Sequence, residues 1–144
     1  MLKARPKCEE MTMINRIDHT ALVVSDLEGS IEFYTRVLGF HVARRLDFGD
    51  RELVIIALGE EPAAKIELLR YDATDQKQGV PDDRTLLGLR HLAFHVSDVG
   101  AAYEQLLEAG VRMQDDPPFK RSGGPPIAFG YDPDGVLLEF SELS

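Results

Sequence analysis

Two histidines and two glutamates in this 144-residue chain recur at a single interval. His19 and His91 are 72 positions apart, Glu67 and Glu139 are 72 apart, and each histidine precedes its glutamate by 48. Two imidazole nitrogens and two carboxylate oxygens suit a divalent ion such as zinc, nickel, cobalt, manganese or iron, and leave coordination positions for water or substrate. The donor types do not choose among these metals. Structural zinc sites are more often closed and rich in cysteine, so His19, Glu67, His91 and Glu139 match an open, catalytic type of centre better.

An isolated strand histidine is ordinarily a satisfied core or edge residue, and an isolated strand glutamate ordinarily faces water. Four such groups at repeat-related positions argue otherwise, because packing does not ask for charge in both copies of a duplicated element. The duplication itself extends well past them: HTALVVSDLE from His19 aligns with HLAFHVSDVG from His91. Next, Leu27, Ile31, Tyr34 and Leu38 are spaced 4, 3 and 4, and Val99, Tyr103, Leu106 and Gly110 repeat that spacing. Each set draws one apolar stripe along a helix, which makes Tyr34 and Tyr103 core residues. Ser25 with Glu28 reads as a capping box for the first helix, and Ser97 or Asp98 as the cap of the second. Gly39 and Gly110 fall where the helices stop.

Strand candidates follow each helix: FHVARRLDF, ELVIIAL and AAKIELLRY in the first half, then VRMQD, PIAFGYD and VLLEFSE in the second. The sequence therefore predicts an α+β protein of two tandem βαβββ modules, at 14–71 and 89–144, joined by a polar linker at 72–88 with a helical turn near its end. Residues 1–13 read as a flexible N-terminal arm, and the whole as one structural domain. YDPDG, from Tyr131 to Gly135, has the composition of a tight turn and makes the last two strands a hairpin. Side chains alternate along a strand, so Leu22 and Val24, with Phe94 and Val96, supply the face on which the helices pack. His19, Ala21 and Val23 then take the other face. By the same parity Glu67 opposes Ile66 and Leu68, and Glu139 opposes Leu138 and Phe140.

Composition narrows the field of partners. With 44% hydrophobic and 28% charged residues the chain is ordinary for a soluble protein. No apolar run approaches the roughly 20 residues of a membrane span. A formal charge of −9 and the absence of a basic stripe argue against nucleic acid. The opening MLKARPKCEEMTM lacks the apolar stretch of a signal peptide, and the single cysteine, Cys8, fits a reducing cytoplasm.

The paired modules, DHTALVVSDLEGSIEFYTRVLGF near the front, IAFGYDPDGVLLEF near the back and the His/Glu/His/Glu order together resemble the vicinal oxygen chelate superfamily over roughly residues 14 to 142. That superfamily includes glyoxalase I, methylmalonyl-CoA epimerase, extradiol dioxygenases and bleomycin-resistance proteins. The resemblance implies a curved mixed sheet around a metal cavity, commonly within a homodimer, and a small-molecule substrate. An acid at position 67 is most similar to glyoxalase I, since the epimerase has glutamine there and the dioxygenases use a His/His/Glu set. It implies Glu139 as the base that moves a proton through an enediolate, with Glu67 for the return transfer, and substrate contacts from Lys120 and Arg121.

The pattern departs from glyoxalase I where that enzyme holds glutathione: its arginine, asparagine and basic positions are Val23, Tyr71 and Leu87 here. Val23, Leu69, Tyr71 and His95 therefore form an apolar cavity wall. Two other activities fit the same family: an Fe(II)-dependent extradiol-type dioxygenase, in which His95 would be an acid/base group, and a non-enzymatic drug- or metabolite-binding protein. Pro117-Pro118 and Pro125-Pro126 bracket FKRSGG, which reads as a lid over the cavity.

Overall fold

Alternation along the strands sorts the apolar side chains onto one face of each module, and the two apolar faces meet. In a computed structural model describing residues 16–72, 87–114, 118–120 and 126–142, the first module runs β1 (His19–Val23), α1 (Leu27–Glu32), β2 (His41–Asp47), β3 (Arg51–Leu58) and β4 (Ala64–Tyr71). The second runs β5 (Leu92–His95), α2 (Val99–Glu108), β6 (Arg112–Met113), β7 (Phe119–Lys120), β8 (Pro126–Tyr131) and β9 (Leu137–Ser141). Each module carries its own mixed sheet, in the order β1-β4-β3-β2 for the first and β5-β9-β8-β6 for the second, with β7 also paired to β8. In both, the strand before the helix lies parallel to the last strand, and the other pairs are antiparallel. This is the tandem βαβββ, α+β arrangement that the repeat predicts.

Helix boundaries follow local chemistry. The N-cap of α1 is Asp26, whose carboxylate accepts the Gly29 amide at 3.0 Å, and not Ser25 as the capping-box pattern suggests. Ser25 has been drawn away: its backbone amide and its hydroxyl both donate to the Asp134 carboxylate in the second module. Asp98 caps α2 by accepting from Ala101 at 2.9 Å. After Glu32 the helix widens into a π-helical turn, Phe33–Val37, where the Thr35 hydroxyl donates back to the Ile31 carbonyl at 2.7 Å. Gly39 then ends it at φ +80°, a conformation that side-chain-bearing residues rarely adopt.

The FKRSGG segment, expected to be a lid, begins with the short strand β7, whose Phe119 pairs with Ile127 and Lys120 with Pro126. The rest of that loop, the arm at 1–13 and most of the linker lie outside the described residues.

The core is shared between modules. Leu22, Val24, Leu27, Tyr34, Phe40, Val54, Ile56, Ile66 and Leu68 form one cluster, against which Leu92, Phe94 and Val136 of the second module pack. The Phe40 and Phe94 rings meet edge to face at 6.1 Å. Across this junction the Tyr34 hydroxyl, fully buried, donates to Asp132 Oδ2 at 2.8 Å. Asp132 Oδ1 accepts the backbone amides of Asp134 at 2.9 Å and Val136 at 2.8 Å, so one carboxylate both shapes the β8–β9 turn and ties it to the π-helical turn that follows α1.

Burial pushes the Asp132 carboxyl above the ordinary carboxylate range, although the bonds from Val136, Tyr34 and Asp134 pull the other way. Burial beside that carboxylate also drives the Tyr34 phenol upward and keeps it a donor. Replacing Tyr34 by Phe leaves a buried carboxylate oxygen without its donor, and we expect a loss of about 1–3 kcal/mol in urea unfolding at pH 7. A raised pKa means that the folded state holds the Asp132 proton more tightly than the unfolded chain does. The contribution is therefore present below the unfolded pKa and is lost as pH rises through the higher folded value. Asp132→Asn should flatten the decline in stability over that interval, measured as Tm against pH.

Candidate functional site

Because Leu22, Ile66 and Leu68 are committed to the core, the residues between them must face away from it. In the parallel pairing of β1 with β4, Ala21 lies beside Glu67, and in the pairing of β5 with β9, Ala93 lies beside Glu139. A methyl group is the smallest side chain that could stand next to each carboxylate, so space is left in front of it. His19 Nε2 approaches Glu67 Oε2 at 3.4 Å, and His91 Nε2 approaches Glu139 Oε2 at 3.0 Å. Each predicted histidine thus meets the predicted glutamate of its own module. The two pairs do not converge: among the described residues no three His, Cys, Asp or Glu side chains gather where they could hold one metal ion.

The pairs differ in surroundings. The first is open, with side-chain exposures of 44% for His19 and 19% for Glu67, whereas the values for His91 and Glu139 are 29% and 11%. Phe129 stands opposite Glu139 across the β8–β9 ladder and meets the His91 ring edge to face at 5.9 Å. Ile127, Phe129 and Leu137 form a small buried cluster on the Glu139 side of the second sheet. Around Glu67 the same side of the first sheet is accessible, and Val23 and Tyr71 are 60% and 41% exposed.

The cavity-wall residues distribute between these two faces. Val23 is in register with Leu69 on the His19 face, and Tyr71 continues that row. His95 is exposed in β5 opposite Ser141, two residues beyond Glu139 along β9. Lys120 belongs to β7, while Arg121 lies outside the described residues.

Sequence reading overlooked Asp18. Its Oδ2 lies 3.0 Å from His19 Nδ1, and its Oδ1 receives a bond from Arg16 at 3.1 Å. The bonds from His19 and Arg16 hold the Asp18 carboxyl below the usual carboxylate range. Proton placement on Nδ1 leaves Nε2, the nitrogen that faces Glu67, with a free lone pair. The duplication could not have signalled this residue, because Arg90 precedes His91. Phe129 was missed for another reason: only the ladder register brings it opposite Glu139.

Comparison with known proteins agrees with this architecture. The family model of the Glyoxalase/Bleomycin resistance protein/Dioxygenase superfamily matches residues 16–140. The chain is 33% identical to a probable lactoylglutathione lyase of Vibrio cholerae over 87% of its own length and 88% of that protein. It is 35% identical to a 2-epi-5-epi-valiolone epimerase of an Actinomyces species, covering 88% of this chain and 79% of the relative. Among solved structures, the trypanothione-dependent glyoxalase I of Leishmania major superposes with a TM-score of 0.70 at 30% identity, over 90% of this chain and 88% of that one. No helix among the described residues is long and apolar enough to cross a membrane. A βαβββ repeat with a His–Glu pair on the outward face of each sheet, matched by a family model across nearly its whole length, makes this chain a member of the glyoxalase/bleomycin resistance/dioxygenase superfamily.

Proposed function

We propose that His19 and Glu67 of one protomer join His91 and Glu139 of a second copy to hold a divalent metal, and that the protein is a glyoxalase-like lyase or isomerase moving a proton beside a carbonyl. The observation that carries this reading is the separation of the two pairs onto two sheets whose shared core occupies the opposite faces. Each pair supplies one imidazole nitrogen and one carboxylate oxygen, too few for a divalent site, whereas two pairs supply the usual four. The donor set therefore fits such a metal as two half-sites, and a symmetric dimer forms two complete ones.

When bound, the metal supplies Lewis acidity toward the two vicinal oxygens of a hydroxy-ketone or a related carbonyl compound. The chain's own groups do the rest. Glu139, in the less exposed pair, removes the α-proton to give an enediolate, a protonated Glu67 from the other half-site delivers its own proton to the neighbouring carbon, and exchange with solvent resets both carboxyl groups. Phe129 packs against the His91 ring and shields the Glu139 side from water. Asp18 orients His19. Relatives named as a lyase and as an epimerase support proton transfer as the common step. A cytoplasmic setting suits a chain with the single cysteine Cys8.

Mixing two defective variants tests the composite site. His19→Ala and His91→Ala homodimers should each lack a complete site, but their equimolar mixture should regain on the order of a quarter of the wild-type metal sites, because half the dimers carry one intact set. Metal analysis after gel filtration reads this directly, and no recovery on mixing would place all four ligands in one chain. For the chemistry, metal-loaded protein should exchange the α-hydrogen of hydroxy-ketones or hemithioacetals with solvent deuterium. Glu139→Gln should slow the exchange about 10²–10⁴-fold; a loaded wild type without exchange across the panel overturns the reading. Asp18→Asn should weaken metal affinity about 10–100-fold with the fold unchanged, as measured by competition with a chelating dye.

A further inference from the structure

The open face of the first sheet has a second property that the His–Glu pair does not require. The β1–β4 register sets Val23 beside Leu69, and the β3–β4 register sets Leu53 opposite Leu69 and Arg51 opposite Tyr71. Val23, Leu53, Leu69 and Tyr71 therefore share the face of His19 and Glu67, and form one apolar surface beginning about 7 Å beyond Glu67, two strand residues on. Val23 and Tyr71 are substantially exposed, which is unusual for large apolar groups at adjoining positions of one sheet.

Among the described residues, two cations bordering this surface are engaged. Arg51 bonds Asp50 at 3.1 Å and stands over the Phe48 ring at 4.7 Å, and Lys65, beside His19, pairs with Glu61 at 3.2 Å. Arg44 lies further out, opposite Ile55 on the edge strand β2. A pendant group bearing carboxylates would thus be desolvated against hydrocarbon, in a protein of net charge −9.

Resting on the proposed metal site, we infer that Val23, Leu53, Leu69 and Tyr71 are a specificity wall selecting a vicinal dioxygen compound with an uncharged aromatic or branched-alkyl substituent, rather than a carboxylate-bearing thiol adduct. The dioxygen end sits at the His–Glu groups, and the substituent lies along the row toward Tyr71.

Isothermal titration of the zinc-loaded full-length protein with acetohydroxamate, benzohydroxamate and a glutathionyl-substituted hydroxamate tests the wall. Benzohydroxamate should bind about tenfold or more tightly than acetohydroxamate. Val23→Asp, at an exposed position, should abolish that preference. Equal affinities, or tightest binding by the glutathionyl compound, overturn the wall. If no hydroxamate binds, the metal reading falls by itself, and the wall is then read on metal-free protein from the methyl NMR signals of Val23, Leu53 and Leu69. Shifts with 1-naphthol but not with glutathione uphold it. No shift with 1-naphthol, or equal shifts with glutathione, overturn it.

Discussion

The whole structure depends on the two-residue alternation of its strands, applied to a core that both modules share. Leu22 and Leu68 from the first half, and Leu138 and Phe140 from the second, point toward the helices, and Phe40 against Phe94 closes the seam between modules. With those faces filled, every intervening residue is turned outward. His19, Glu67, His91 and Glu139 occupy such positions, and a one-residue register slip would bury the charges and expose the core.

The junction is not purely apolar. Asp132 is nearly inaccessible, yet it accepts one phenolic and two backbone donors, and its neighbour Asp134 reaches Ser25. A buried carboxylate with three donors tolerates its desolvation, and the geometry of those donors restricts how the modules can be oriented. The YDPDG turn is thereby both the end of a hairpin and the anchor of the second module on the residues that flank α1, Ser25 and Tyr34. The orientation of the two His–Glu pairs follows from this anchor, since the sheets that carry them cannot rotate about the seam without breaking it.

Duplication has not kept the two halves equivalent. The second His–Glu pair is lined by Phe129 and lies next to a small apolar cluster, while the first stands open beside Val23 and Tyr71. One half thus holds its carboxylate further from water, and the other leaves its pair more open to solvent. Asp18 adds to the asymmetry, because its bond to His19 has an arginine at the equivalent position in the second half.

Sequence alone determined the repeat, the βαβββ order, the apolar stripes of the helices and the face on which each histidine and glutamate lies. All of these are local or periodic, and periodicity is set by backbone geometry that the chain cannot escape. Cap choice was less legible: Ser25 looks like a helix cap until its partner Asp134, 109 residues away, is in place. Tertiary structure alone decided that the pairs His19–Glu67 and His91–Glu139 form within modules and stay apart, that Phe129 faces Glu139, and that Tyr34 meets Asp132. Those contacts join residues from strands and helices whose mutual placement follows from how two sheets pack, and no spacing along the chain encodes that packing.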